Sequence, residues 1–246
     1  MTPRRVLFIA HRGASAVAPE GTRSAIREAI RAGADMVELD VQMTRDGRLM
    51  IFHDDRLERT TNGSGRLSEV RYPQAARLDA GSWFHPRFAG ERVLLVSQAV
   101  QLLPQRMRIN LELKRTRYRQ ALLRRFLCVV RWTRVSRRLL VSSFDPALLE
   151  PLRHHLRCAL LCHRAPERSL QQAIRLGCAG WHPHVSLVTP DRIRRAHRAG
   201  LQVNVWVVDE PGRARQLARW GVDGVFTNDP ARLCAAIGQA GRRADP

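Results

Sequence analysis

A (β/α) barrel is the fold class that this 246-residue sequence predicts, and the expectation rests on three observations. Short β-rich apolar runs alternate with helical patterns from end to end, which implies a parallel sheet with helices outside it. No Pro/Gly/Ser-rich linker divides the chain and no repeat is visible beyond the βα unit, so a single domain over 1–246 is expected. Charged side chains fall at the ends of the first four expected strands, where such barrels carry their functional groups.

The expected strands are Val6–Ala10, Met36–Val41, Leu49–Phe52, Arg108–Leu113, Leu139–Ser142, Ala159–Cys162, Gly180–His182, Gln202–Val207 and Gly224–Phe226. That is one strand more than a closed eight-stranded barrel needs. Helices are expected at Arg23–Arg31, Tyr118–Trp132, Pro146–His155, Glu167–Leu176, Asp191–Ala199, Gly212–Trp220 and Ala231–Ile237. Thr22, Asp145-Pro146 and Thr189-Pro190-Asp191 supply start signals for three of them. Thr44-Arg45-Asp46-Gly47, between the second and third strands, is too short for a crossover helix and reads as a tight turn. Those strands either pair antiparallel or leave the regular order. After His53 a non-periodic stretch runs to about Arg92, and a run of that length is often functional.

Composition narrows the class. Hydrophobic residues at 44% and charged residues at 26% describe a folded soluble protein rather than a disordered one. The net charge of +20 would attract any phosphate substrate, anionic lipid or nucleic acid. The arginines are scattered over the expected helices, and Lys114 is the only lysine, so the excess reads as a biased, solvated surface rather than a nucleic-acid footprint. Cys128, Cys158, Cys162, Cys178 and Cys234 lack CxxC or zinc-finger spacing and read as buried, reduced thiols of a cytoplasmic protein. The apolar stretch after Met1–Arg5 is shorter than a signal-peptide core needs, and no run approaches a membrane span.

The chemistry sits at strand ends. The first strand runs into His11-Arg12-Gly13, the second carries Glu38 and Asp40, the third runs into His53-Asp54-Asp55, and the fourth carries Glu112 and Lys114. Residues i and i+2 of a strand share a face, so Glu38 with Asp40 and Glu112 with Lys114 point inward while Leu39, Leu111 and Leu113 meet the helices. Crowded inward carboxylates call for a counter-charge, and an all-oxygen set suits a hard divalent ion, Mg²⁺ or Ca²⁺. A structural salt-bridge network would use the same residue types, but it leaves His11 and His53 without a role. Imidazoles near neutral pKa suit acid–base work on a phosphodiester, and Arg12 and Lys114 suit its non-bridging oxygens. Trp206 fits an apolar substrate wall or the core equally well. Asp54 and Asp55 either orient His53 or cap the loop, and Trp83-Phe84 either cover the pocket or fold the insertion on itself.

The segments AHRGASAVAPEGT (10–22), VELDVQMTRDGRLMIFHDDRLERTTNGSG (37–65), LDAGSWF (78–84) and NLELK (110–114) resemble the glycerophosphodiester phosphodiesterase family. The likeness continues through VSSFD (141–145), VNVWVVDEP (203–211) and GVDGVFTNDP (221–230) and covers nearly the whole chain. It implies a distorted (β/α)8 TIM barrel with an insertion after the third strand, at about 54–92. It further implies that Glu38, Asp40 and Glu112 hold a metal, that His11 and His53 are the acid and base, and that Arg12 and Lys114 grip phosphate. Gly21 departs from the family's usual Pro-Glu-Asn-Thr, and Val93–Gln98 lacks its usual Pro-Thr-Leu turn.

The expected substrate is a small glycerophosphodiester, cleaved to glycerol 3-phosphate and an alcohol such as choline or ethanolamine. Water or the substrate's own glycerol hydroxyl is the nucleophile. A lysophospholipid at the same site is the alternative, with the basic helix around Tyr118–Arg138 resting on anionic membrane through Leu122, Phe126, Val129 and Val130. A non-catalytic nucleic-acid binder explains the charge but not the ordered histidines and carboxylates.

Overall fold

Parallel strand register organises the computed structural model, which describes residues 5–237. The strands are β1 (Leu7–His11), β2 (Met36–Met43), β3 (Leu49–Ile51), β4 (Arg108–Leu113), β5 (Leu139–Ser143), β6 (Arg157–Cys162), β7 (Gly180–Pro183), β8 (Gln202–Val205) and β9 (Gly224–Thr227). Eight of them close in the order β1-β9-β8-β7-β6-β5-β4-β2, with β1 returning onto β2. The ninth is β3, which pairs antiparallel with the end of β2 and hangs outside the closed ring. The Thr44–Gly47 turn makes this possible: Thr44 Oγ1 accepts from Arg48 N at 2.9 Å, and Gly47 takes a φ of +82°.

The helices are α1 (Arg23–Arg31), α2 (Tyr72–Ala75), α3 (Val96–Leu102), α4 (Arg119–Thr133), α5 (Pro146–Leu149), α6 (Pro166–Arg175), α7 (Pro190–Arg198), α8 (Pro211–Trp220) and α9 (Pro230–Ile237). Thr22, Asp145 and Thr189 cap α1, α5 and α7 by accepting from Ala25 N, Ala147 N and Arg192 N. The helix expected over Pro146–His155 stops at Leu149 and continues as turns. The sequence reading missed α3, whose seven residues are too few to display a helical period.

Alternation along each strand separates two environments. Leu111 and Leu113 of β4 join the apolar layer between strands and helices, as do Leu122, Phe126 and Val130 of α4. Val129 is partly buried against that layer. The apolar side chains expected to meet a membrane therefore face the barrel, and α4 turns arginines, Trp132 and Cys128 to solvent, so that thiol is exposed where burial was expected while the other four are buried. The insertion after β3 has its own small core of Met50, Phe52, Leu57, Leu67, Ala75, Ala80, Val93 and Leu95. Trp83 is exposed but packs within the insertion: its indole N–H donates to Ala80 O at 2.9 Å and its ring meets Phe84 edge-on. The insertion folds on itself.

The barrel interior mixes an apolar cluster of Ile9, Met36 and Phe226 with buried polar side chains. Asn110 Nδ2 donates to Ser142 Oγ at 2.7 Å, and Asn204 Nδ2 lies 3.1 Å from His182 Nε2. Complete burial drives the His182 pKa down to about 3, so the ring is neutral in the folded protein. Between pH 6.5 and about 3 the unfolded chain holds a proton here that the folded chain does not, so this group's contribution to stability falls as pH falls. Denaturant titrations at pH 7 and pH 5 will show wild type losing about 2 kcal/mol more than His182→Gln over that interval. Equal losses in the two proteins would show that His182 is not buried in its neutral form.

Candidate active site

Strand register assembles the carboxylates. Parallel pairing of β2 with β4 sets Asp40 beside Glu112, and Glu38 lies two residues earlier on the same inward face. Carboxylate oxygens of Glu38, Asp40 and Glu112 all come within 4.8 Å of one another. The three residues are 3%, 3% and 9% exposed, so water cannot screen them freely.

Two cations approach this cluster. Arg12 follows β1 in a left-handed backbone conformation, φ +56°, and is succeeded by Gly13 at φ +82°. A Cβ at position 13 would come within 2.8 Å of Ala25 Cβ, so the tight turn requires glycine. The turn aims Arg12 N at Glu38 Oε2, 3.0 Å away, and brings Arg12 Nε to 3.3 Å from Asp40 Oδ2. Lys114 Nζ donates to Glu112 Oε1 at 2.8 Å and reaches Asp40 Oδ1 at 3.3 Å.

These cations do not cover the whole cluster. Glu38 Oε1 is buried with no hydrogen-bond partner in the protein. Burial, then Asp40 and Glu112, push the Glu38 pKa well above the carboxylate range. Burial, then Asp40, raise Glu112 to about 7 despite Lys114. Burial opposes ionisation of Asp40 as well, but Lys114 and Arg12 outweigh it and hold its pKa low. An orphaned carboxylate oxygen among hard oxygen donors is what a site for a hard divalent cation presents. Glu38, Asp40 and Glu112 are the residues that would hold it.

Both histidines are anchored through Nδ1. Asn228 Nδ2 donates to Asp209 Oδ2 at 2.7 Å, which turns Asn228 Oδ1 toward His11 Nδ1 at 2.8 Å. That oxygen can only accept, so Nδ1 carries the proton and Nε2 is free. His53 Nδ1 lies 2.6 Å from Asp54 Oδ1, which assigns it the same tautomer. Arg59 holds Asp54 at 2.9 Å and Glu20 at 2.7 Å, while Glu20 accepts from Arg12 at 3.0 Å. Burial, then the charge of Arg12, lowers the pKa of His11, and burial followed by Lys114 and Arg12 prevails over Asp40 and Asp54 to lower that of His53. Gln42 Nε2 lies within 3.2 Å of the carbonyls of Phe52, His53 and Asp54 and fixes the chain that carries the second histidine.

A cavity of about 210 Å³ joins His11, Arg12, Glu38, His53, Glu112 and Lys114 to an apolar wall of Phe144, Leu161, Trp206 and Phe226. Asp40 stands below it, beside Arg12 and Lys114. Every site residue expected from the sequence thus reaches one place. Trp206 forms part of the wall, its indole N–H tied to His182 O at 2.8 Å. Asp55 does not orient His53: it lies 3.4 Å from Arg66 at the rim, and Asp54 does the orienting. Asn228, Asp209, Gln42 and Arg59 escaped the sequence reading. Asn228 and Asp209 were within reach of it, as the polar residues following the last two strands.

Residues 11–232 match the model of the glycerophosphoryl diester phosphodiesterase family. A glycerophosphodiester phosphodiesterase of Caldanaerobacter subterraneus is 30% identical over 96% of this chain and all of its own length. One from Bacillus altitudinis is 32% identical over 92% of this chain and 95% of its own. Among solved structures, an Oleispira antarctica phosphodiesterase in complex with the product sn-glycerol-3-phosphate superposes with a TM-score of 0.88. It is 30% identical to this chain, covering 94% of it and 96% of its own length.

The histidine anchors have a direct check. Asp54 stabilises the protonated form of His53, so Asp54→Asn will move the His53 titration to lower pH and leave His11 in place, as read by imidazole NMR. An unmoved His53 would break the assigned pairing.

Proposed function

The chain belongs to the glycerophosphoryl diester phosphodiesterase family, whose members hydrolyse phosphodiesters, and from that premise we propose how its own residues do so. The reaction is cleavage of a glycerophosphodiester to glycerol 3-phosphate and an alcohol. The observation that carries this reading is the meeting, in one small cavity, of two Nδ1-anchored histidines with a three-carboxylate cluster and two cations. The glycerol 3-phosphate bound by the Oleispira phosphodiesterase supports the choice of product.

Glu38, Asp40 and Glu112 would hold a Mg²⁺ or Ca²⁺ ion, which would supply charge stabilisation at the phosphoryl oxygens. Arg12 and Lys114 donate to the non-bridging oxygens as charge grows on them in the transition state. His53 and His11 divide the proton transfers. The Asp54 carboxylate behind His53 stabilises an imidazolium, so His53 Nε2 takes the proton from the nucleophile, whether water or the glycerol hydroxyl. His11 has only a neutral amide behind it and is the stronger acid when protonated, so its Nε2 returns a proton to the leaving alkoxide. The wall of Trp206 and Phe144 packs against the glycerol carbons and limits entry of water.

Release of glycerol 3-phosphate from a panel of glycerophosphodiesters, with EDTA and metal add-back, tests the reading. His11→Ala, His53→Ala and Glu38→Ala will each lower turnover by at least about 100-fold while the fold persists. Near-normal turnover in all three would overturn it. The division of roles has its own test. His11→Ala will lose much less activity on a p-nitrophenyl diester, whose leaving group needs no proton, than on an alkyl diester. His53→Ala will lose equally on both.

A further inference from the structure

Lys114 lines both the catalytic cavity and a second cavity of about 310 Å³. This groove runs between the insertion and the segment joining β4 to α4. Met43 and Leu122 contribute apolar surface, and Gln42 stands between the groove and the His53 chain. The apolar wall of Trp206 and Phe144 belongs to the first cavity and not to the second. Lys114 is the one lining residue common to the two cavities, so the groove adjoins the site at Lys114.

The charge lining the groove is unbalanced. Its carboxylates are Asp55 and Glu69, and its cations are Arg66, Lys114, Arg115 and Arg117. Asp55 is paired with Arg66 at 3.4 Å, and Lys114 is turned to Glu112 and Asp40. Glu69 is the one other lining carboxylate for Arg115 and Arg117. Both are exposed, and neither forms an ion pair with another described residue. The Arg117 guanidinium lies 4.8 Å from the centre of the Tyr118 ring, which presents it as a flat fork. No aspartate or glutamate occurs between Glu112 and Asp145, so the segment that carries the two arginines supplies no carboxylate of its own to them. The first turn of α4 also begins here without a side-chain cap and adds to the positive potential.

We propose that this groove holds the alcohol half of the diester and selects alcohols that carry an oxyanion, a phosphate or carboxylate, through Arg115 and Arg117. The inference rests on the phosphodiesterase reading above and names the substrate class for it. It also reverses the expectation of a cationic alcohol such as choline, which two unpaired guanidiniums would repel. The net reaction is unchanged: the bond from phosphorus to the alcohol oxygen breaks, a water oxygen joins phosphorus, and the alkoxide leaves with a proton. Guanidiniums suit the task because their paired N–H groups meet two oxygens of a phosphate or carboxylate at once.

Two matched pairs of diesters test this by kcat/KM for glycerol 3-phosphate release. Glycerophosphoserine differs from glycerophosphoethanolamine by one carboxylate, and glycerophosphoinositol phosphate differs from glycerophosphoinositol by one phosphate. Wild type will favour the more anionic member of each pair by about tenfold, the scale of one charge-assisted hydrogen bond. Arg115→Gln/Arg117→Gln will erase the preference within each pair, by lowering kcat/KM on the more anionic member toward that of its partner. Equal rates within the pairs in wild type, a preference for ethanolamine, or a uniform fall on every substrate in the double variant would each overturn the proposal. Release of no glycerol 3-phosphate from any of the four diesters would instead overturn the phosphodiesterase reading beneath it.

Discussion

Strand register forces like charges together, and the architecture of the mouth follows from that. Parallel pairing of β2 and β4 leaves Asp40 no place but beside Glu112, with Glu38 one pleat away. At an effective dielectric of about 20, two full charges 4.8 Å apart repel by about 3 kcal/mol, and burial adds to that cost. The protein answers with Arg12 and Lys114, yet Glu38 Oε1 still has no partner and two of the acids resist ionisation. A cluster left short of positive charge is poised for a cation and for a phosphate that shares it. The strained Arg12-Gly13 turn belongs to the same arrangement, because it is what brings a guanidinium and a backbone N–H to these acids.

Around that cluster the structure fixes direction more than identity. Each histidine is held by an acceptor on Nδ1, so each presents a bare Nε2. The anchors come from opposite ends of the chain, Asn228 after β9 and Asp54 after β3, and barrel closure brings them to one rim. The insertion contributes Arg59, which ties Asp54 to Glu20 and, through Glu20, to Arg12. Gly21 belongs to this neighbourhood too. Its φ of +71° is one that glycine or asparagine adopts readily, which accounts for glycine where the family usually has asparagine. That run of ion pairs couples the insertion to the Arg12-Gly13 turn.

Much of this was legible in the sequence because β periodicity carries it. Glu38/Asp40 and Glu112/Lys114 announce a shared inward face through spacing alone, and the short Thr44–Gly47 link announced a strand that does not follow the βα order. Other features were hidden for physical reasons. The roles of Asn228 and Asp209 depend on a contact 217 residues away in sequence from His11, which no local pattern encodes. The seven residues of α3 are too short to show a period, and the helix expected to run to His155 ends at Leu149 because packing rather than propensity sets its length. The apolar stripe of α4 was visible, but only the fold shows that it meets the barrel and leaves the arginines outside.

Acceptance of a cation by the acid cluster is the property on which the other roles depend. A crystal soaked in Mn²⁺, used for its anomalous scattering as a substitute for Mg²⁺, reports this without reference to turnover. The predicted result is a single strong anomalous peak within coordination distance, about 2.0–2.6 Å, of oxygens from Glu38, Asp40 and Glu112. A saturating soak that leaves those oxygens without a peak, or with Lys114 and Arg12 closed over all three carboxylates, would contradict it.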